Sequence, residues 1–461
     1  MKILFTHGYF LHEDPKEALI MRPYVPLGIL YISAYLEKNG FENDVFDSTF
    51  STFDSLRQTL LNTKPNVLAI YTNLMTKINV LKIIQFVKAE SKLCDTKIIL
   101  GGPEVRHHRE NFLNYGADIV VIGEGEETML ELVKLVAQKQ VTPQILLSVR
   151  GIAFKQDGQI ITTEERSLIK DINLLPFPNR KKIDFTPYLN GWKQHHGYSM
   201  MSVNTMRGCP YTCKWCSRAV YGGTYRRRSP QLVAAELSLL KKEYKPDMVW
   251  FVDDVFTIHH KWLKEFADEV KKADAAIPYE IISRADRLNE EVIKILKESG
   301  CFRIWVGAES GSQKIIDAMD RRVDVMKTRE MILLAKKHGI EAGTFIMLGY
   351  PGETKHDIRQ TIQHLVQANP SQYTITVAYP IKGTPLFEEV EADMLNSDLS
   401  WETSTDREID FKRTHSKKYY QHAIKWVNTE VYLQTKNKNL LKIPYLRLKS
   451  LKYQLQMVMS K

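Results

Sequence analysis

Three cysteines stand within eight residues, Cys209, Cys213 and Cys216 in the run RGCPYTCKWCSR, and an aromatic residue, Trp215, directly precedes the last of them. Thiolates so spaced on one tight loop hold three irons of a cubane [4Fe-4S] cluster and leave the fourth iron open to a ligand. The competing chemistry is a structural zinc site, which needs four ligands in closed tetrahedral geometry. No second short-spaced cysteine pair exists here, so His195 and His196 would have to complete it. The other cysteines, Cys94 and Cys301, sit singly in apolar runs and are expected to be ordinary buried residues.

A chain of 461 residues is too long for one hydrophobic core and predicts two or three domains. Its hydrophobic and charged contents, 44% and 26%, place it among globular proteins rather than disordered or fibrous ones. Internal repeats and low-complexity tracts are absent. No apolar run approaches the roughly 18 residues that span a bilayer, and MKILFTHGYF lacks a secretory layout, so a cytoplasmic, reducing location is expected, without disulfides. The net charge of +10 raises nucleic acid or an anionic membrane as partners. Aromatic RNA-recognition segments are missing, so nucleic acid is not expected.

The elements that must position the cysteines follow from the pattern of apolar runs. Up to residue 165, β-rich stretches at 2–6, 45–46, 67–71, 97–100 and 119–122 alternate with helical periodicity at 26–38, 53–61, 78–89 and 127–137. This alternation predicts a doubly wound, Rossmann-like parallel sheet that binds a ligand at the carboxyl ends of its strands. The glycine-bearing junctions Gly101-Gly102 and Gly123-Glu124-Gly125 would let a backbone approach a bulky ligand, although a plain tight turn needs glycine equally. Asn73 and Thr76 end another strand on the same side. A hairpin turning at Asp157-Gly158 follows, and the proline-bearing stretch 166–194 is expected as a linker.

Residues 195–385 repeat strand and helix with six apolar strands, the cadence of a partial (β/α)6 TIM-like barrel with its site at the strand carboxyl ends. The cysteine loop begins just after the first of these strands. Residues 386–461 lose the cadence and predict a helical C-terminal extension. Its last segment, 444–459, sets Leu448, Leu451, Leu455 and Val458 near one face among Arg447, Lys449 and Lys452. A basic amphipathic helix of this kind either packs on its own domain or makes a peripheral contact with an anionic membrane.

The CxxxCxxC loop and the motifs after successive strands resemble the radical S-adenosylmethionine (SAM) superfamily, whose open iron chelates SAM. The resemblance implies contacts to SAM from Asp253 and Asp254 in FVDD, Ser283 and Arg284 in IISRADRL, and Glu309 and Ser310 in VGAESG. Trp215 would pack against adenine, and Thr354 in GYPGET would cap a helix. The first third, through PLGILYISAYLEKNG and YGADIVVIGEGEETMLEL, resembles the cobalamin-binding domain that precedes many radical SAM cores. Asn73, Thr76, Gly101, Gly102, Gly123, Glu124 and Gly125 then become cobalamin contacts. The Asp-x-His-x-x-Gly motif of mutase-type modules is absent: His7, His107 and His108 all lack its flanking residues.

The resemblance extends to cobalamin-dependent methyltransferases and the anaerobic magnesium-protoporphyrin ester cyclase group. It implies reductive cleavage of SAM, radical chemistry on an unactivated carbon of a small or lipid-like substrate, methyl transfer, and an electron donor such as flavodoxin or ferredoxin. Three alternatives stay open: a radical SAM enzyme without cobalamin, a methylthiotransferase lacking the expected extra cysteines, and a basic nucleic-acid-binding protein.

Overall fold

The computed structural model describes residues 1–395, 399–437 and 439–460. Seven strands form the first sheet: β1 (Ile3–His7), β2 (Asp44–Phe46), β3 (Val67–Tyr71), β4 (Lys97–Gly101), β5 (Ile119–Val121), β6 (Ile152–Gln156) and β7 (Gln159–Thr162). Their order is β2-β1-β3-β4-β5-β6-β7. The first five run parallel, and the strand order reverses between β1 and β3, which opens a crevice at their carboxyl ends. The 151–161 hairpin does not stand apart. Its strand β6 pairs antiparallel with β5 and extends the sheet, because Ile152, Ala153 and Phe154 are apolar enough to be buried there.

Helices cover both faces of this sheet. Leu56, Leu60, Val80 and Ile84 pack on one side with Leu68 and Ile98 of the strands, while Ile29, Leu36, Met129 and Val133 pack on the other with Val67 and Ile99. One helix, Val105–Tyr115, escapes the periodicity reading, since its sequence VRHHRENFLNY is dominated by polar residues and its backbone kinks at His108. The stretch expected as a linker also carries a helix, Thr186–His196. Its Tyr188 is buried and donates to Asp47 at 2.7 Å, which ties the segment to the first sheet.

The second sheet contains β8 (Met200–Val203), β11 (Met248–Phe251), β12 (Tyr279–Ser283), β13 (Cys301–Glu309), β14 (Glu341–Leu348) and β15 (Gln372–Val377). All six are parallel and pair in chain order, with β8 and β15 at the two edges, which makes an open half-barrel. Between β8 and β11 lies a short antiparallel ribbon, β9 (Met206–Arg207) with β10 (Arg226–Arg227), whose loop is the cysteine segment. The C-terminal extension closes the β15 side. Its helix Lys417–Val431 packs Tyr420, Ala423 and Val427 against Ile346, Leu348 and Leu365, and the helix Ile443–Met459 packs on that helix in turn.

Candidate functional site

Both sheets present their strand carboxyl ends to one shared cavity of about 820 Å³. Its walls include His7, Tyr71 and Gly101 from the first sheet and Met206, Cys209, Cys216 and Asp254 from the half-barrel.

The loop that carries the cysteines is pinned at its base. Asp253 is 1% exposed, and its carboxylate accepts from the backbone amides of Thr205 (2.7 Å) and Met206 (3.2 Å), from the Thr205 hydroxyl and from Asn204. Arg227 lies 3.4 Å from it. These bonds occupy Asp253 with holding the entry to the loop, so it is not the ligand-facing acid that the sequence suggested. Its neighbour Asp254 lines the cavity instead, with its carboxyl pushed up by burial and by Asp253.

Cys213 is buried, and its Sγ receives two guanidinium donors, Arg284 at 3.7 Å and Arg321 at 3.8 Å. Hydrogen bonds to ligating sulfur stabilise the extra charge of a reduced cluster. Arg284 spends its remaining donors on Asp286 at 2.9 Å and on the Arg321 carbonyl at 2.8 Å, and it lies 3.8 Å over the Tyr211 ring. It therefore braces the cysteine loop rather than reaching toward a ligand carboxylate. Arg321 also donates to the Gly307 carbonyl at 2.6 Å and stands 3.7 Å from Glu309. Glu309 has φ +63 at a register shift of β13 against β14, a left-handed conformation that strains any residue with a side chain. Burial raises its carboxyl, and Arg321 and Arg284 oppose that rise.

Ser283 and Ser310 are both buried: Ser283 shares its hydroxyl with Thr257, and Ser310 accepts from the Ser312 amide at 3.1 Å. Trp215 is not on the cavity wall. It packs, partly buried, against the apolar cluster that includes Ile316, Met319 and Tyr350, and Arg321 lies 5.7 Å from its ring centroid. Thr354 caps the helix Lys355–Ala368 in a capping box with Asp357. Sequence reasoning missed Tyr211 and Arg321. Tyr211 sits within the cysteine run but in no spacing that marks a role, and Arg321 reaches the site only through the fold.

The site fits a cluster better than a single ion. Among the described residues the three Sγ atoms do not all lie within 4.8 Å of one another, whereas thiolates on one tetrahedral zinc sit roughly 3.8 Å apart. His195 and His196 turn to the backbone carbonyls of Gly191 and Ile20, which removes the zinc completion considered above. Cys216 is exposed to the cavity, although protein atoms crowd its sulfur from behind. Burial, with Asp254 adding repulsion, pushes its thiol to about 12, and burial pushes Cys209 up as well, so iron would have to supply the positive charge that keeps these sulfurs ionised. Cys301 is buried as expected, but Cys94 is exposed, because it follows the short turn Ser91–Leu93 rather than lying in the strand.

The opposite wall is bare backbone in part. A Cβ at Gly28 or Gly101 would meet no atom within 4 Å, so both leave room for a large flat ligand. Gly102, by contrast, has φ +111, and a Cβ there would fall 2.3 Å from the Thr72 carbonyl, so glycine is required by the turn itself. A Cβ at Gly125 would fall 2.6 Å from Ile32. Gly123 lines the cavity with φ +94. Asn73 and Thr76 line it too, but Asn73 Oδ1 accepts from the Met75 and Thr76 amides and the Thr76 hydroxyl from the Asn73 amide, which fixes the turn.

Glu124 is a domain clamp. Its carboxylate receives Arg207 and Arg226, each at 2.7 Å, together with the Ile169 amide at 2.7 Å, while Glu126 takes the other arm of Arg207. Glu124 also lines the cavity, so any cofactor contact there would come from a carboxylate already held by this cross-domain network. His7 is the one histidine on the described cavity wall, and its ring is fully used: Nε2 pairs with Asp47 at 2.9 Å and Nδ1 accepts from the Tyr9 amide at 3.2 Å. No imidazole is left there to bind a metal from the protein side.

Residues 203–365 match the Radical SAM superfamily, and residues 21–133 match the B12 binding domain. An uncharacterized methyltransferase of Pyrococcus horikoshii, PH0819, is 28% identical over 85% of this chain and 83% of its own. The anaerobic magnesium-protoporphyrin IX monomethyl ester cyclase of Rubrivivax gelatinosus is 25% identical over 85% of this chain and 70% of its own. The cobalamin-dependent SAM radical enzyme OxsB, solved with aqua-cobalamin and SAM, superposes with a TM-score of 0.76 at 15% identity, over 99% of this chain and 72% of that one. The chain is an enzyme that carries a radical SAM domain at residues 203–365 and, ahead of it, a B12-binding domain at residues 21–133.

Proposed function

We propose that this enzyme transfers a methyl group to an unactivated carbon of a small or lipid-like organic substrate, using SAM, a [4Fe-4S] cluster and cobalamin. The observation that carries the reading is the single cavity onto which Cys209, Cys216 and Asp254 face from one side and Gly28 and Gly101 from the other. When bound, these groups supply a low-potential electron, a sulfonium whose cleavage yields a hydrogen-abstracting carbon radical, and a transferable methyl group.

The residues contribute positioning and exclusion. Cys209, Cys213 and Cys216 would hold the cluster, with Arg284 and Arg321 donating to sulfur. Asp254, beside the loop, offers a carboxylate to the ammonium of an amino-acid ligand. Glu309, held in its strained turn, offers acceptors to hydroxyl groups. Walls drawn from both domains keep bulk water from a radical reaction. We assign cobalamin binding to residues 1–165, radical chemistry to 195–385 and closure of the half-barrel to 386–461. Among the described residues no helix is long and apolar enough to cross a membrane. An oxygen-sensitive cluster suits the reducing cytoplasm, where a flavodoxin or ferredoxin would deliver the electron.

The test is anaerobic reconstitution with iron, sulfide and cobalamin, followed by turnover with methyl-labelled SAM and extracts of small molecules and lipids. Corrinoid absorbance that stays with the protein, and label transferred to an organic product, support the reading. Bound cluster and deoxyadenosine without retained corrinoid or transferred label would assign the enzyme to radical chemistry without methyl transfer, such as the ring closure named for the Rubrivivax relative.

A further inference from the structure

The C-terminal helix Ile443–Met459 is apolar on two opposite faces, and only one of them is covered. Leu446, Ser450, Tyr453 and Met457 recur at helical spacing and turn inward, with Met457 and Tyr453 joining the core formed with the helix Lys417–Val431. On the far side Leu448 is 67% exposed, Leu451 55%, Leu455 64% and Val458 53%. Leu440, Leu441 and Tyr445 carry the same stripe back through the preceding turn, all exposed. Isolated surface leucines need no explanation, but a continuous stripe along five turns of one chain segment marks a contact surface.

Charge says what the contact is. After Glu430 the sequence carries seven lysines and arginines and no acidic residue. At 100° per residue, Arg447 falls on one flank of the exposed stripe and Lys442 and Lys449 on the other, while Lys452 lies within it on a stem long enough to extend its ammonium to the rim. A second copy of this chain would bring two such cationic borders together, so self-association is opposed by repulsion. An apolar strip bordered on both sides by cations matches the boundary between acyl chains and anionic headgroups. We propose that the outer face of this helix docks the enzyme on an anionic lipid bilayer. The proposal is independent of the reaction assigned above, because none of these residues lines the cavity.

The experiment is flotation of the full-length protein with equimolar phosphatidylcholine–phosphatidylglycerol vesicles and with phosphatidylcholine alone. The expected result is binding to the anionic vesicles only, weakened by added salt. The charge variant Lys442→Gln/Lys449→Gln/Lys452→Gln should lose about fivefold in partitioning for each cation removed. The apolar variant Leu448→Gln/Leu451→Gln/Leu455→Gln should abolish flotation while melting at an unchanged temperature, since these side chains are exposed. Absence of flotation with anionic vesicles, or flotation undiminished in the apolar variant, overturns the proposal. So does light scattering that shows a vesicle-free dimer which the apolar variant dissolves, because the stripe would then belong to a second copy.

Discussion

At the scale of single residues the site depends on where positive charge meets sulfur and carboxylate. Arg321 touches Cys213, the Gly307 carbonyl and the Glu309 region at once, so its loss should be felt both in structure and in electronics. Arg321→Met removes a donor to ligating sulfur, and the reconstituted cluster should then be harder to reduce, with a more negative midpoint in a potentiometric titration. Arg321→Lys keeps the charge and should fall between. A purely structural role would lower cluster content while leaving the midpoint of the remaining clusters unmoved. Arg207 poses a different case, since it lies 4% exposed between Glu124 and Glu126. Removing one member of a buried ionic set leaves an uncompensated charge, so Arg207→Met should destabilise the domain junction by about 3 kcal/mol. Hydrogen exchange would register this as lost protection in the loop Gly123–Glu126. Unchanged protection there would show that Arg226 alone suffices to hold Glu124.

At the scale of elements, two adjacent glycines separate folding from binding. Gly101→Val adds a side chain that meets no protein atom within 4 Å and suits a strand end, so melting should be preserved while corrinoid retention is lost. Gly102→Ala places a Cβ against the Thr72 carbonyl in a backbone conformation that disfavours side chains, and should cost about 1–3 kcal/mol in strain alone. If both variants lose stability together, the open space at Gly101 is not a binding surface. The sequence made the strands legible because buried parallel strands are nearly unbroken apolar runs, as in Ile3–His7 and Cys301–Glu309. The cysteine loop was legible because its chemistry is written in spacing. What stayed hidden was pairing at a distance: nothing local in Glu124 says that it will meet Arg207, and nothing in FVDD says which aspartate turns inward. The helix Val105–Tyr115 was hidden for the opposite reason, since polar residues and a kink erase the apolar period.

At the scale of the whole molecule, the C-terminal extension reaches back to the first domain and completes the cavity wall with Arg407. The contact is a buried polar cluster: Glu104 and His108, one helical turn apart, meet Asp406, with ligand atoms all within 4.8 Å of one another. Lys77 lies buried nearby as the positive charge that offsets both carboxylates. Burial, reinforced by Asp406, pushes the Glu104 carboxyl up to about 7 from its ordinary 4.5, and burial pushes the His108 imidazole down to about 3. The folded state therefore keeps a proton on Glu104 that the unfolded chain releases. Stability from this group is complete below about pH 4.5, falls as pH rises toward 7 and is flat beyond, with an upper bound of about 3 kcal/mol. Glu104→Gln holds a neutral group of the same shape, so its melting temperature should match wild type near pH 4 and exceed it increasingly up to pH 7. Hydrogen exchange in residues 400–411 should show the extension held more firmly in the variant at pH 8. Equal melting of the two proteins across that range would mean that Lys77 already neutralises Glu104, and that the joint between extension and first domain is an ion pair rather than a protonated acid.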